Sequence, residues 1–328
     1  MGKIAVYNAR QDEMTFFKQY QDKFKLDIEY IDEELNFETA VKAKGAEAVT
    51  VQGSNNVDRL SLKVLSESGV KYLAVRSSGY NNVDIEAAKE YGIRFSNVNY
   101  SSNSVADYTT MLILMCVRKV KQIIARNDVQ DYTLAGIQGR EIRNLTIGII
   151  GTGKIGATVA KNLSGFNCKI IGYDVYENDN LRNILEYVSL DELLSKSDVI
   201  TLHAPLFDSN FHMINKESIE KMKDGVCIIN CGRGPLVDTE ALIEGIETGK
   251  IGAAGLDVIE DELSIFHSDH RLNILNNHNL SILRAFPNVI ITPHAAFYTD
   301  QAVSDMVENA LKSLDSFINT GDSPWEIK

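Results

Sequence analysis

Three side chains of complementary chemistry stand just past strand-like apolar runs in the second half of this chain: Arg233, Glu262 and His294. Arg233 lies in Asn230-Cys231-Gly232-Arg233-Gly234-Pro235, Glu262 closes Asp257-Val258-Ile259-Glu260-Asp261-Glu262, and His294 follows Thr292-Pro293. A guanidinium presents a planar fork matched to a carboxylate, which lysine cannot reproduce. Ligands of open α/β sheets bind beyond the carboxyl ends of the strands. A cation, an acid and an imidazole are therefore delivered to one edge of one sheet. Taken singly, each has a plainer use: a surface arginine, a solvated member of an acidic run, and a capping side chain before the last helix. Their joint placement is what favours chemistry.

The second constellation is Gly151-Thr152-Gly153-Lys154-Ile155-Gly156. It follows the strand-like run 145–150, opens a helical pattern, and is answered by Asp174 at the end of the next apolar run. Gly151 permits a tight turn, Gly153 lets the backbone approach a pyrophosphate, and Gly156 lets helix and strand pack closely. The helix N-terminus would offer free amides to the phosphates. The plainer alternative is a tight strand–helix turn that binds nothing. A carboxylate at Asp174 accepts from a ribose 2′-hydroxyl and repels a 2′-phosphate, and no arginine in 174–180 offsets it, which predicts NAD over NADP.

These pieces need scaffolds. Short strand patterns at 3–7, 27–31, 48–51, 72–75 and 94–96 alternate with helical ones such as 57–68 and 83–91, which implies an open parallel sheet. Residues 104–120 read as one long helix, apolar around most of its circumference, and so buried on several sides, between domains or against a second subunit. From about residue 145 a second doubly wound unit follows, with later strands at 199–203, 226–230, 252–257 and 289–292 and helices near 191–197, 216–222 and 238–248. The polar, irregular stretch 262–287 is too long for an ordinary connection. A final helix near 299–320 has no strand after it and could return to the first domain. The expected architecture is α/β with two doubly wound parallel-sheet domains. An outer domain of residues 1–100 plus 299–328 would carry residues 101–298 as an insertion.

A chain of 328 residues can bury a large core, and its net charge of -12 argues against nucleic acid and anionic membrane surfaces. Cys116, Cys168, Cys227 and Cys231 form no CxxC pair and read as reduced, mostly buried thiols, consistent with a cytoplasmic protein. The N-terminal residues read as a first strand and not as a signal peptide. No apolar stretch is long enough to span a bilayer. His203 and His212 read as structural, and His267, His270 and His278 as solvent-exposed; no cluster has metal-ligand spacing, so no metal is expected.

On these residues the chain resembles the D-2-hydroxyacid dehydrogenase family over nearly its whole length. The matching pieces are Arg76-Ser77-Ser78-Gly79-Tyr80-Asn81-Asn82-Val83-Asp84, the central glycine motif, 230–234, 257–262 and Pro293-His294. It is most similar to the D-lactate dehydrogenase branch, the vancomycin-resistance type included, through Tyr100-Ser101-Ser102, the 262–287 stretch and His294-Ala295-Ala296-Phe297-Tyr298. The resemblance implies a Rossmann NAD-binding domain inserted into a flavodoxin-like substrate domain. It implies that Arg233 clamps the substrate carboxylate beside the nicotinamide. His294 would protonate the keto oxygen or take the hydroxyl proton, and Glu262 would favour the charged imidazole. Amides of Ser78 and Gly79 would complete carboxylate binding as the domains close. Lys154 and Ile155 would meet the pyrophosphate and Asp174 the adenine ribose. Ala204, Pro205, Asn210, Cys231, Gly232 and Arg233 would line the cofactor crevice, and Asp257 would hold the carboxamide.

Two positions depart from commoner family patterns. Asn81 replaces a frequent aspartate, and Gln52 stands where some D-lactate enzymes carry tyrosine. If Gln52 lines the pocket with Tyr100 and Phe297, its smaller polar wall alters which side chains fit. Apolar pockets separate single methylenes by only about 1–3 kcal/mol. Pyruvate is the first expectation and a branched or aromatic 2-keto acid the second. A non-catalytic, cofactor-sensing corepressor-like protein is the rival of a different class. A homodimer is expected from the apolar helix.

Overall fold

The computed structural model describes residues 2–327. Two compact units are present: the chain up to Ser101 together with Tyr298 onward, and Ser102–Phe297. The first begins with β1 (Lys3–Tyr7), α1 (Gln11–Phe24), β2 (Asp27–Ile31), β3 (Ala48–Gln52), α2 (Arg59–Glu67), β4 (Tyr72–Arg76), α3 (Ile85–Glu90) and β5 (Arg94–Ser96). The strands β3 and β4 are almost wholly buried apolar runs, as expected of parallel strands covered on both faces. Asp58 and Asp84 start α2 and α3 by accepting the backbone N–H groups of Ser61 and Ala87. Helix α1 has no counterpart in the sequence expectation. Its inner face carries the charged Glu13, fully buried beside Phe17, so hydrophobic periodicity understates it.

The second unit contains α4 (Ser102–Val117), α5 (Val120–Asp128), β6 (Thr146–Ile150), α6 (Lys154–Ser164), β7 (Lys169–Tyr173), β8 (Glu186–Tyr187), α7 (Leu190–Lys196) and β9 (Val199–Leu202). It continues through α8 (Lys216–Glu220), β10 (Val226–Asn230), α9 (Thr239–Glu247), β11 (Ile251–Leu256), α10 (His278–Ala285) and β12 (Val289–Ile291). The chain then rejoins the first unit with α11 (Asp300–Thr320) and β13 (Glu326–Ile327). Helix α11 buries Val303, Met306, Val307, Leu311, Leu314 and Phe317, and packs on α1, β3 and β4.

Among the described residues the first sheet runs β13-β5-β4-β3-β1-β2 and the second β12-β11-β10-β9-β6-β7-β8. All pairings are parallel except β13 on β5. In the second sheet the strand order reverses at β6, which lies between β9 and β7. That reversal opens a crevice at the carboxyl ends, where ligands of such sheets bind.

Three expectations need correction. The long helix stops at Val117, because Lys119 takes a left-handed backbone (φ 54°), and a separate helix, α5, begins at Val120. A strand does follow the final helix: β13 is too short to leave a period-2 pattern and exists because it pairs with β5. The 262–287 stretch is not irregular throughout, since Asn277 accepts the Leu280 N–H and starts α10.

Candidate active site

The turn after β6 is sterically closed to any residue larger than glycine at two places. Gly151 has φ +88°, and a Cβ there would press on the backbone of His203 and Ala204. A Cβ at Gly156 would collide with the Gly151 carbonyl oxygen. Around the position a Cβ would take at Gly153 there is only open space, and no side chain caps α6. The first-turn amides, at Lys154, Ile155 and Gly156, are thus left for a ligand, with the helix's positive end behind them. Asp174 stands at the end of β7. One of its oxygens accepts from the Thr152 N–H (2.6 Å) and hydroxyl (3.1 Å), the other from the Tyr176 N–H (3.0 Å). An anion-ready turn beside a fixed carboxylate suits a dinucleotide.

The loops after β9, β10 and β11 lie side by side. After β9, Asn210 donates to the Pro205 carbonyl (2.7 Å) and accepts from the Phe207 N–H (2.7 Å), which closes the loop on itself next to Ala204. After β10 the buried Asn230 accepts from the Gly232 N–H (3.0 Å) and donates to the Arg233 carbonyl (2.9 Å). That clamp shapes the turn bearing Cys231, Gly232 and Arg233. Burial pushes the Cys231 thiol up to about 12, so it stays protonated. The half-buried Arg233 guanidinium donates to the Gly232 carbonyl (2.8 Å).

Beyond β11 the acid and the imidazole meet. Glu262 and Nδ1 of His294 are 2.6 Å apart, and the other Glu262 oxygen accepts from the Ile259 N–H at 2.8 Å. His294 sits in the left-handed region (φ 50°), unusual for a residue with a Cβ. Asp257 holds it there: its carbonyl accepts the His294 N–H (2.8 Å), and its carboxylate accepts from the Thr292 hydroxyl (2.6 Å), the Ala295 N–H (2.9 Å) and the Ala296 N–H (2.9 Å). A carboxylate has about four acceptor sites. Asp257, 1% exposed, is thus largely committed to bracing the histidine turn, a use the sequence reading missed. The Phe297 ring stands edge-on to the His294 ring, with centroids 6.3 Å apart.

The other candidates belong to the first unit. Ser78 donates its hydroxyl to the Val98 carbonyl (3.1 Å), and Ser77 donates to the Gly79 carbonyl (2.6 Å), so the loop after β4 is tied down by its own side chains. Gln52, 9% exposed, donates its amide to the Asn8 carbonyl and approaches Glu13. Tyr100 is half-buried after β5. Of the remaining histidines, His203 bonds the Thr201 hydroxyl (2.9 Å), and burial pushes its imidazole down to about 3. His267 is exposed, and its Nε2 lies 3.2 Å from the His294 carbonyl oxygen.

Comparison with known proteins follows the same lines. The family model for the D-isomer specific 2-hydroxyacid dehydrogenase NAD binding domain matches residues 110–296. The chain is 47% identical over 317 residues to an aromatic 2-oxoacid reductase of Clostridium sporogenes, covering 96% of each. It is 41% identical over 313 residues to the D-lactate dehydrogenase of Lactobacillus delbrueckii subsp. bulgaricus, covering 94% of each. Among solved structures, the D-lactate dehydrogenase with NAD+ from Lactobacillus jensenii aligns with a TM-score of 0.87 at 32% identity over 99% of both chains.

Proposed function

The chain belongs to the D-isomer specific 2-hydroxyacid dehydrogenase family and is an NAD-dependent oxidoreductase, and from that premise we propose that it interconverts a 2-keto acid and its D-2-hydroxy acid with Arg233, Glu262 and His294 as its working residues. The observation that carries the assignment is the 2.6 Å contact between Glu262 and His294 Nδ1. It leaves Nε2 to exchange a proton with substrate. NADH held at the glycine turn by the amides of Lys154 and Ile155 would supply the hydride that the carbonyl carbon needs. His294 delivers the proton to the carbonyl oxygen, so two electrons and two hydrogens are accounted for, and the reverse reaction returns that proton to Nε2. Arg233 would swing from the Gly232 carbonyl to pair with the substrate carboxylate, which aligns the reacting carbon.

The turn geometry supports a cofactor reading in which the amides around Gly153, Lys154 and Ile155 would hold the pyrophosphate, and Asp174 the adenine ribose. Ala204, Pro205, Asn210, Cys231 and Gly232 would border the nicotinamide half. Ser78 and Gly79 would give backbone donors to the substrate carboxylate, while Gln52, Tyr100 and Phe297 would bound its side chain. The domain roles are part of the same reading, with residues 101–298 holding NAD and residues 1–100 plus 299–328 contributing substrate contacts.

For the side chain, we place aromatic and branched 2-keto acids ahead of pyruvate. Gln52 replaces a tyrosine of some D-lactate enzymes and is drawn back onto Asn8, and a relative at 47% identity is named for aromatic substrates. NADH oxidation with phenylpyruvate, 2-ketoisocaproate, 2-ketobutyrate and pyruvate, followed by chiral analysis of product, tests both levels. An L product or no turnover on any of them removes the assignment; a higher kcat/KM for pyruvate restores the lactate reading.

The outer side of α4 supports a homodimer. Met111, Leu114 and Met115 with Ile123 and Phe166 line an open, mainly apolar hollow of about 840 Å³. A second copy would cover it, and Met111→Asp should convert a dimeric sedimentation profile to a monomeric one. No helix among the described residues is long and apolar enough to cross a membrane. We place the protein in the cytoplasm on its four free cysteines.

A further inference from the structure

Glu260 takes no part in the reaction just described, yet it lies where three site loops cross. One oxygen is 2.7 Å from Nε2 of His212, in the loop that follows β9 and carries Ala204, Pro205 and Asn210. The other accepts from the Thr239 N–H (2.9 Å) and hydroxyl (2.5 Å), at the start of the helix reached from Arg233. Glu260 itself sits between Asp257 and Glu262. His212 is held in turn: its N–H donates to the Pro235 carbonyl (2.8 Å), its Nδ1 lies 3.8 Å from Asp238, and Phe211 stacks on the ring at 3.9 Å. The backbone at Gly234 runs so close to Ile259 that a Cβ would strike the Ile259 carbonyl. The Arg233 turn and the 257–262 turn therefore touch directly, and Glu260 laces them to each other and to the cofactor-side loop.

We propose that Glu260, bridged to His212 and Thr239, is a positioning residue that sets the placement of Arg233 relative to the Glu262–His294 pair. The proposal rests on the dehydrogenase reading of those three residues. Its physical basis is that reacting groups tolerate little misplacement: about 1 Å can cost about 100-fold in rate. Removing Glu260 takes away the side-chain link from the 258–261 turn to Thr239 and His212, and lets the guanidinium and imidazole drift apart. An amide at this position keeps the bridge, because its oxygen can accept from Thr239 and its NH2 can donate to an unprotonated His212 Nε2.

The test is steady-state kinetics of wild type, Glu260→Ala and Glu260→Gln, with NADH binding read by fluorescence titration and folding by thermal melts. For Glu260→Ala the expected result is a keto-acid KM raised at least about fivefold and a kcat lowered about tenfold. NADH affinity should change less than about threefold, since the glycine turn and Asp174 are untouched and Asn210 closes the 205–210 loop without Glu260. Glu260→Gln should recover most of both kinetic losses. Wild-type kcat and KM in Glu260→Ala, with only a lower melting temperature, would overturn the proposal and leave Glu260 a fold brace. Should Glu260→Ala not fold, Glu260→Asp, which is too short to span both partners, must show the same split, and wild-type kinetics there overturns the proposal equally. Failure of the dehydrogenase reading would be seen separately, as wild type inactive on every keto acid.

Discussion

Replacing Glu262 by glutamine isolates the acid–imidazole pair with almost no change of shape. In the native side chain one oxygen faces Nδ1 of His294 at 2.6 Å and the other accepts the Ile259 N–H at 2.8 Å. An amide has one acceptor. With its oxygen on Ile259, its NH2 confronts Nδ1, and two donors oppose each other whenever the ring carries both protons. A hydrogen bond to a charged group contributes about 1.5–3 kcal/mol. His294 is 35% exposed, so solvent screening favours the lower half of that range. The whole loss falls on the protonated ring, the form that delivers the proton during reduction. At about 1.4 kcal/mol per tenfold, kcat for keto-acid reduction should fall by about 10- to 50-fold. The assay is NADH consumption at saturating cofactor, with NADH affinity measured separately and expected within about twofold of wild type, since the cofactor turn is remote. A variant keeping a third or more of wild-type kcat would show that the pair has no role in proton delivery.

Three further outcomes follow from other contacts. Asp174→Ala removes a charged acceptor, so the NADH-to-NADPH ratio of kcat/KM should fall by at least about tenfold; an unchanged ratio would place NAD selectivity elsewhere. In the first unit, Arg76 and Glu13 form an ion pair at 2.9 Å with 0% and 1% exposure. Glu13→Gln should thus lower unfolding free energy by about 3–5 kcal/mol in urea titrations, because it strands a buried cation; a loss below about 1 kcal/mol would contradict that. His203, pushed down to about 3 by burial, binds a proton in the unfolded chain below about 6.5 but not in the native one, so its contribution to stability is intact above about 6.5 and declines as pH falls toward 3. Between pH 7 and 5 the decline is about 2 kcal/mol, and His203→Asn should lose that part of the pH dependence; identical slopes for the two proteins would refute it.

Local pattern alone determined the two parallel sheets, the glycine turn with its answering Asp174, and the delivery of Arg233, Glu262 and His294 to strand ends. Each is written in short-range order: continuous apolar runs, glycines at fixed offsets, polar residues just past them. What the sequence could not display was whatever depends on partners distant along the chain. Helix α1 was hidden because its buried face includes Glu13, a charge that becomes tolerable inside only beside Arg76. The strand β13 has no pattern of its own and exists by pairing with β5. The break at Lys119 is a single left-handed residue within an unbroken run of helix-compatible side chains. Asp257 read as a ligand group, and only the folded loops show its carboxylate also accepting from Thr292, Ala295 and Ala296, at the turn that holds His294 in a left-handed backbone. Side-chain type and spacing nominate chemistry. Which acid braces, which one touches the imidazole and which laces the loops together is decided by contacts among the ends of adjacent parallel strands, because neighbours there are far apart in the chain.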